Sequence, residues 1–371
     1  MSSSSSPDRV TYAGEAGWEA AWRPMMDAVG TDFGGGADRA APDPVEIGAI
    51  RRLAEPLELG CPLHRDRGLA MRLGYGDVPA PVTGILSFTI PPVWQPGEAP
   101  VFTDPARNAQ PGRAGTTPRF TGLEPPAPAY FAAGSAADYL VPVVVGDRLR
   151  RRGNRLVECV PKQTRVGRGA FTTWESEIRN QHDDLVARLR NTTYLYVPRR
   201  GAPAPPAPAA GPVAGPPPGA PVDWDRQRSW EDLAVDDPLP AVRFPLPVYR
   251  LVMAAGATRD FNSIHHNTEW ARSTGAPEMY ANVVFLQGMW ERCVREFIGV
   301  GGTIRRIGGF RMGSFNTAGD TVTVRGRVAR LWEEGDAGLA ELRMWSSNSR
   351  GVSVGPGSVV VTMPRRTQGV S

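Results

Sequence analysis

The sequence predicts an α+β fold made of two similar domains in tandem, and three observations support this. The chain has 371 residues, which suits two domains of about 150 residues each. The segment 201–221 is almost wholly Ala, Pro and Gly, a composition that cannot build a core and favours an extended linker. The parts before and after it contain matching motifs in the same order, which indicates an internal repeat.

The composition is that of an ordinary globular protein, with 41% hydrophobic and 22% charged residues. The net charge of +4 comes from arginine, because Lys162 is the only lysine. The densest arginine cluster, 148–152, flanks a predicted strand turn and lacks the aromatic or groove-reading elements of a nucleic-acid site. We therefore expect no nucleic-acid partner, and the small positive charge weakly suits an anionic ligand such as a nucleotide-tailed thioester.

The cysteines and the N-terminus bear on the cellular compartment. Cys61, Cys159 and Cys293 are widely spaced and form neither a CxxC pair nor a zinc pattern, as is typical of a reducing cytoplasm. No apolar segment follows the serine run within residues 1–9, and no run approaches the ~18 apolar residues of a membrane span. We expect a cytoplasmic protein without a signal peptide or a membrane segment.

The internal repeat rests on two motifs. The segment 59–66 (Leu-Gly-Cys-Pro-Leu-His-Arg-Asp) aligns without a gap with 260–267 (Asp-Phe-Asn-Ser-Ile-His-His-Asn). Further along, a Gly-Asp pair at 146–147 matches one at 319–320, and alternating residues typical of a strand leaving a tight turn follow. The interval between the motifs is 28 residues longer in the first half, which a Pro-rich insertion at 90–128 explains.

Each half shows the same order of predicted elements: an apolar segment, a His-bearing loop, a long helix and several strands. In the second half the helix spans about 281–297, where apolar residues recur at a helical spacing typical of core packing. Strands are predicted at 305–314, 320–331, 337–346 and 355–362. One buried helix wrapped by an antiparallel sheet is an α+β architecture.

The segment 255–267 of the second half contains the most informative motif. It resembles the signature of the MaoC-like hydratase/dehydratase family, Gly-Asp-x-Asn-Pro-(Ile/Leu)-His-x-(Asp/Asn). Four signature positions are matched, by Asp260, Asn262, Ile264 and His265. Two positions depart from the signature, because Arg259 replaces the usual Gly and Ser263 the usual Pro.

The resemblance implies a tandem double hot-dog fold, with a long central helix in each half wrapped by the antiparallel sheet. The first half resembles the degenerate, fatty-acid-synthase-like dehydratase domain often fused upstream in this family. The predicted boundaries are a partly disordered N-terminal extension at 1–39, a first hot-dog domain at 40–200, the linker at 201–222 and a catalytic hot-dog domain at 223–371. Because hot-dog domains pair through their sheets, we expect a pseudo-dimer within one chain, with a homodimer left open.

The resemblance also implies a reaction: the reversible hydration of trans-2-enoyl to (R)-3-hydroxyacyl thioesters of coenzyme A or an acyl carrier protein, without a cofactor. Such a hydration needs a water directed at C3 and a proton exchanged at C2. A carboxylate and an imidazole on one side of the substrate can supply both. Asp260 and His265 are therefore the candidate catalytic residues, with Asp260 as the base toward water in the family's usual division.

Substrate binding requires hydrogen-bond donors for the developing enolate oxygen. Backbone N–H groups at a helix start are the usual source of such donors. The segment 280–283, at the head of the predicted helix, is expected to supply them. The candidate substrate-binding residues are Asn262, Gly275, Tyr280 and Asn282.

The first half lacks the acid of the motif. Leu59 stands at the position of the Asp and Cys61 at that of the Asn, although His64 matches the His. A leucine can neither orient water nor move a proton, so we predict that this half is catalytically degenerate. The insertion at 90–128 is either a surface loop or a segment that lines or caps an acyl tunnel, and the aromatic residues that would line or cap it are Trp94, Phe102 and Phe120.

Other chemistries have less support in the sequence. His182 and His266 are predicted to be structural or to face solvent, and no second ligand cluster accompanies His265, so we expect no metal site. The Gly-rich run 299–309 lacks the dinucleotide fingerprint, and no Gly-x-Ser-x-Gly elbow occurs. Two alternatives stay open, a hot-dog acyl thioesterase and a non-catalytic acyl-thioester-binding or scaffolding subunit.

Overall fold

The computed structural model describes residues 17–36, 38–111, 121–199 and 222–366. The predicted linker, apart from residue 222, lies outside these ranges, as do residues 1–16 of the predicted extension. Within the described ranges, no helix is both long enough and apolar enough to cross a membrane.

The described residues of the first half form short helices and five strands. They are α1 (Arg23–Asp27), β1 (Asp38–Ala40), α2 (Ile47–Leu57), α3 (Arg67–Arg72), β2 (Ala129–Tyr139), β3 (Arg150–Gln163), β4 (Gly167–Arg179) and β5 (Leu185–Pro198). Three 3-10 helices accompany them, at Trp18–Trp22, Pro62–His64 and Val82–Thr89.

The described residues of the second half contain the longest helix. The elements are β6 (Val242–Pro245), α4 (Val248–Thr258), α5 (Thr268–Ser273), α6 (Val283–Ile298), β7 (Thr303–Arg311), β8 (Thr321–Glu334), β9 (Ala337–Asn348) and β10 (Gly351–Met363). Two 3-10 helices accompany them, at Trp230–Asp232 and Ser263–His265.

The ten strands of the described residues form one antiparallel sheet, in the order β1-β3-β4-β5-β2-β7-β10-β9-β8-β6. The two halves meet where β2 pairs with β7, which sets Asp138 opposite Arg306. The side chains of these two residues form an ion pair with a 3.1 Å separation. Both halves also contribute side chains to one continuous hydrophobic core. The halves therefore form the predicted pseudo-dimer within one chain.

The internal repeat appears in the structure as a constant offset of 201 residues. This offset relates α2 to α4, the 3-10 helix Pro62–His64 to Ser263–His265, and α3 to α5. Both α2 and α4 end on a left-handed residue, Glu58 with φ 50° and Arg259 with φ 56°. The signature position that is usually Gly is thus a helix end with positive φ, and Arg259 adopts that conformation.

A long central helix is present in the second half, where α6 lies within two residues of the predicted bounds. The equivalent segment of the first half, Val82–Thr89, is a 3-10 helix, so the prediction of a long helix in each half is wrong for the first half. Proline limits the length of this segment, because Pro91 and Pro92 follow it directly after Ile90. A proline has no N–H to donate, and it disfavours helical geometry in the residue before it.

Residues 17–36 pack against the sheet. Buried side chains of the first 3-10 helix and α1 meet apolar side chains of β3, β4 and β5 in a second hydrophobic cluster. The members of this cluster are Trp18, Trp22, Met25, Leu156, Cys159, Ala170 and Leu195. In addition, β1 pairs with β3. The described part of the predicted extension is therefore folded together with the first half.

Candidate active site

The motif loop of the second half is shaped by helix ends. Beyond Arg259 the chain turns back, and the Asp260 N–H donates to the Ala255 carbonyl at 3.0 Å. Asn262 then caps the 3-10 helix Ser263–His265, because its side-chain oxygen accepts from the Ile264 N–H at 3.3 Å. These turns bring the first and last residues of the motif to the same side of the loop. The observed contact of Asn262 is a cap, and its predicted role in substrate binding stays a prediction.

Asp260 and His265 lie together, as the motif predicts. The His265 Nε2 is 3.3 Å from the Asp260 Oδ2, and the side chains are 9% and 13% exposed. The His265 Nδ1 is 2.8 Å from the Tyr280 carbonyl oxygen. Since a carbonyl can only accept, Nδ1 carries the proton, and the Nε2 of a neutral imidazole faces the carboxylate as a second acceptor. A shared proton or a bridging water between the two side chains would therefore provide a hydrogen-bond donor to both acceptors.

The Tyr280 ring forms one side of this pair. It lies edge-on to the His265 imidazole, with centroids 5.3 Å apart, and it packs on Phe315 at 4.8 Å. Burial, and next the charge of Asp260, raises the pKa of the Tyr280 phenol. The phenol therefore stays protonated near neutral pH.

The backbone before α6 is held by hydrogen bonds that the sequence did not predict. The Tyr280 N–H donates to the Ile264 carbonyl at 3.2 Å, and the Ala281 N–H donates to the Asn316 carbonyl at 2.9 Å. These bonds fix the carbonyl that orients His265. They also occupy two of the amides in the segment 280–283, so the expectation that this whole segment supplies donors is too broad.

Asn282 is the N-cap of α6. Its side-chain oxygen accepts from the Phe285 N–H at 2.8 Å, and its amide donates to the Thr258 hydroxyl at 2.8 Å. The residue is only 2% exposed, so a substrate contact of this side chain is not supported. In an α-helix the first amides have no acceptor within the helix, and the cap satisfies that of Phe285. The amides of Val283 and Val284, the first two of the helix, have no acceptor within the helix.

Gly275 has a conformational role. It lies in an exposed turn after α5 with φ 94°, and its counterpart Gly74 has φ 87° after α3. Its N–H donates to the Arg272 carbonyl at 3.0 Å. Glycine adopts positive φ at the end of a helix without steric cost. The turn accounts for both glycines, and it gives no support to the prediction that Gly275 binds substrate.

Residues of the first-half insertion contact the motif loop of the second half. The Ser263 hydroxyl donates to the Gln110 side-chain oxygen at 2.8 Å, and the Asn267 amide donates to the Asn108 side-chain oxygen at 2.6 Å. Arg107 pairs with Glu269 at 2.7 Å. The departure from Pro at position 263 therefore has a structural partner, because a proline could not make this bond.

Two aromatic residues of the insertion, Trp94 and Phe102, do not line a buried tunnel. Trp94 is 47% exposed and Phe102 is 79% exposed, while Phe120 lies outside the described residues. The exposure of Trp94 and Phe102 favours the surface-loop interpretation, and a cap over an acyl tunnel stays a prediction. The described part of the insertion supports the motif loop through polar contacts.

The equivalent loop of the first half keeps the geometry of the histidine and lacks the acid. The His64 Nδ1 is 2.8 Å from the Pro79 carbonyl, fifteen residues along the chain, as in the pair of His265 and Tyr280. Burial, and next the charge of Arg295, lowers the pKa of His64 to about 3. The side chain is thus neutral near neutral pH, and Leu59 offers it no proton donor or acceptor.

The remaining histidines lie on the surface. His266 is exposed, with its Nε2 3.1 Å from the Phe261 carbonyl, and His182 is exposed in the turn between β4 and β5. Both observations agree with the expectation that these residues are structural or face solvent. In the described ranges, no three His, Cys, Asp or Glu side chains gather in a way that could hold a metal ion.

The fold and the site define a tandem double hot-dog protein with a carboxylate–imidazole pair in its second half. Residues 27–189 match the FAS1-like dehydratase domain region family. A similar protein is the 3-oxo-4,17-pregnadiene-20-carboxyl-CoA hydratase beta subunit of Mycobacterium tuberculosis, which is 32% identical over 101 residues, 27% of this chain and 74% of that protein.

Solved structures share the whole architecture. A MaoC-like dehydratase superposes with a TM-score of 0.65 over 92% of this chain and 99% of its own, at 18% identity. A conserved Mycobacterium tuberculosis protein with a double hot-dog fold superposes with a TM-score of 0.54 over 91% of this chain and 96% of its own, at 13% identity. The chain belongs to the MaoC-like hydratase/dehydratase family, with a FAS1-like dehydratase region in its first half. This membership supports a hydration or dehydration reaction.

Proposed function

We propose that the protein interconverts trans-2-enoyl and (R)-3-hydroxyacyl thioesters at a single site in its second half. The observation that carries the proposal is the 3.3 Å approach of the His265 Nε2 to the Asp260 Oδ2, with the imidazole fixed by the Tyr280 carbonyl. The thioester is carried by coenzyme A or by an acyl carrier protein.

In the hydration direction a water lies between the two side chains and attacks C3 of the enoyl group. The pair enters this reaction with one extra proton, carried on the His265 Nε2, which donates to the water. Asp260 accepts a proton from the water as the C–O bond forms, and the Nε2 proton is delivered to C2. The substrate gains one hydroxyl and one proton, and the pair ends with the number of protons with which it began. Dehydration runs through the same groups in reverse.

The negative charge that develops on the thioester oxygen is stabilised at the head of α6. The amides of Val283 and Val284 point out of the helix start, where the helix dipole also favours negative charge. The buried cap formed by Asn282 holds this helix end in place. Tyr280 adds a protonated phenol on the same side, which orients the water or the substrate.

The first half is degenerate in this proposal. Leu59 replaces the acid, and the buried His64 is neutral near neutral pH. What the first half contributes is support, through the pairing of β2 with β7 and through the bond from Ser263 to Gln110.

Two alternatives are less well supported. A hot-dog thioesterase is disfavoured because the acid and the imidazole have the hydratase spacing, ahead of the central helix. A non-catalytic binding subunit was suggested by the departures at Arg259 and Ser263. Arg259 nevertheless adopts the positive φ of its position, Ser263 donates to Gln110, and Asp260 and His265 lie together.

One assay separates the three functions. Crotonyl-CoA is mixed with the full-length protein, and enoyl absorbance and free thiol are followed together. A hydratase lowers the absorbance without releasing thiol, a thioesterase releases thiol, and a binding subunit does neither. Release of thiol would contradict the proposal. So would a lack of turnover with both crotonyl-CoA and longer enoyl thioesters.

A further inference from the structure

Glu291 is a fully buried carboxylate on α6 that the proposed reaction does not use. Its Oε1 accepts from the Val82 N–H at 2.9 Å, and its Oε2 accepts from the Thr83 N–H at 2.9 Å. The Thr83 hydroxyl donates to the Oε2 at 2.6 Å. A side chain of the second half is thus bound by the first turn of the 3-10 helix Val82–Thr89 of the first half.

The repeat gives these two amides a counterpart. Val82 and Thr83 precede Val283 and Val284 by 201 residues, the offset that also relates His64 to His265. Under the proposed function, Val283 and Val284 are the amides that bind the thioester oxygen. The Glu291 carboxylate therefore lies on the amides that correspond to that oxyanion site.

We propose that the Glu291 carboxylate is a built-in occupant of the first half's former acyl-thioester site, placed where the enolate oxygen would bind. This inference rests on the proposed function, since it takes the amides at the head of α6 as the active oxyanion site. Its consequence is that one chain binds one acyl thioester, in the second half.

The chemistry of the occupant matches that of the ligand it replaces. An enolate and a carboxylate both place a negatively charged oxygen on the two amides, and charge-assisted bonds to backbone N–H groups are the strong ones. Burying a carboxylate is costly unless it is hydrogen-bonded, and three donors meet this one. Arg295, one helical turn along α6 and 3% exposed, adds a buried positive charge on the same helix.

The helix cap also differs between the halves. In the second half the side chain of Asn282 caps the helix and leaves the first two amides to a substrate. In the first half the equivalent residue is Pro81, which makes no side-chain cap bond. Glu291 thus accepts hydrogen bonds from the amides of Val82 and Thr83. A thioester would have to displace this buried carboxylate, which is held by three hydrogen bonds.

Chemical rescue tests the occupied site. The substitution Glu291→Ala removes one CH₂–COO⁻ group, which acetate can replace. We expect Glu291→Ala to lower the Tm by several degrees and acetate at about 0.1 M to restore part of this loss, since a ligand of the folded state stabilises it. Sodium chloride at the same ionic strength is expected to restore less.

Glu296→Ala is the matched control. Glu296 lies on the same helix and pairs with Arg292 at 2.9 Å, so its removal also deletes a carboxylate. The Tm of this variant is expected not to respond to acetate beyond its response to chloride. An equal response of the two variants would overturn the inference. If Glu291→Ala does not fold, the Tm of Thr83→Val and of Glu291→Gln is measured instead. Each substitution weakens the hydrogen bonds between Glu291 and the 3-10 helix Val82–Thr89, so each is expected to lower the Tm. A Tm equal to that of the wild type for both variants would overturn the inference.

Binding stoichiometry tests the consequence. Calorimetric titration of the full-length wild-type chain with saturated octanoyl-CoA, which cannot be hydrated, is expected to give one site per chain. Two equivalent sites per chain would overturn the inference even if the enzyme is an active hydratase. If the wild type is inactive but acetate still raises the Tm of Glu291→Ala, the proposed function is contradicted and the inference is not. The failure of the inference and the failure of the proposed function are therefore distinguishable.

Discussion

The imidazole of His265 donates from Nδ1 to the backbone oxygen of Tyr280 at 2.8 Å, and this bond decides what the other ring nitrogen can do. Because the Nδ1 proton is bonded to a carbonyl, the Nε2 is the ring nitrogen that faces Asp260, and in the proposed reaction it is the one that exchanges a proton with the substrate. The pairing of His64 with the Pro79 carbonyl at 2.8 Å repeats this arrangement in a half that has no acid. The histidine geometry is thus a property of the repeat, and the carboxylate is what distinguishes the halves.

The activity of the enzyme should depend little on His64. The substitution His64→Asn can keep a donor to the Pro79 carbonyl, and we expect it to change turnover by less than about tenfold, because no acid lies beside it. Turnover of an enoyl thioester measured next to the circular dichroism spectrum checks this. A collapse of turnover in a folded variant would show that the first half takes part in the reaction.

The same residue should make the protein sensitive to acid. The pKa of His64 is about 3 in the folded chain and 6.5 in its ordinary state. Below pH 6.5 the His64 imidazole is protonated in the unfolded chain but stays neutral in the folded chain. The free energy of unfolding is therefore highest above that pH and falls as the pH drops toward 3. Between pH 7 and pH 5 this should cost on the order of 1–2 kcal/mol.

Urea unfolding at a series of pH values measures this effect. The His64→Asn variant should lose less stability than the wild type over that interval, because it has no imidazole to protonate. Parallel losses in the two proteins would contradict the assignment of the acid sensitivity to His64.

The contact between the insertion and the motif loop should be energetically coupled. Gln110→Ala and Ser263→Ala each remove one partner of a 2.8 Å hydrogen bond. In a double-mutant cycle on unfolding free energy we expect a coupling of about 1 kcal/mol, the usual size for a neutral hydrogen bond. Strictly additive losses would mean that the insertion does not support the loop.

The size of the acyl group should affect the rate. The first half has Leu59 where the catalytic acid would stand, so it does not have to fit a small substrate, and we expect an acyl group larger than four carbons. Each methylene that becomes buried can contribute about 0.8 kcal/mol, or about fourfold in kcat/KM. Measurements from four-carbon to medium-length and branched enoyl thioesters test this, and a flat or falling series would point to a small acyl group.

The two halves should stay together when the chain is cut between them. A specific protease site introduced into the segment 201–221 allows one cut without touching the described fold. Because β2 pairs with β7 and the halves share a core, the fragments should elute together from a sizing column. Separate elution without denaturant would contradict a shared sheet.

What the sequence predicted well was local. Asp260 and His265 lie five positions apart, and a helix end and a capped 3-10 turn are enough to bring them together. The predicted bounds of α6 were close because its apolar residues recur at the spacing of a buried helix. In the first half the expected long helix is absent because prolines limit its length, a signal that was present in the sequence at Pro91 and Pro92.

What the sequence could not predict depends on contacts far apart in the chain. Glu291 binds amides more than two hundred positions away, and Gln110 meets Ser263 at a separation of 153 positions. No periodic pattern records such pairs. One signal could have been found, since Pro81 stands where Asn282 provides a cap, and the missing cap implied another acceptor for the amides of the first half.

The most direct test of the account is the turnover of Asp260→Asn and His265→Gln beside that of His266→Gln. All three variants should fold like the wild type, as circular dichroism will report. His266→Gln removes a neighbouring exposed imidazole and should stay within about tenfold of the wild-type turnover. Asp260→Asn and His265→Gln should each lose at least about a hundredfold. If either keeps more than about a tenth of wild-type turnover, the pair is not the site of proton transfer.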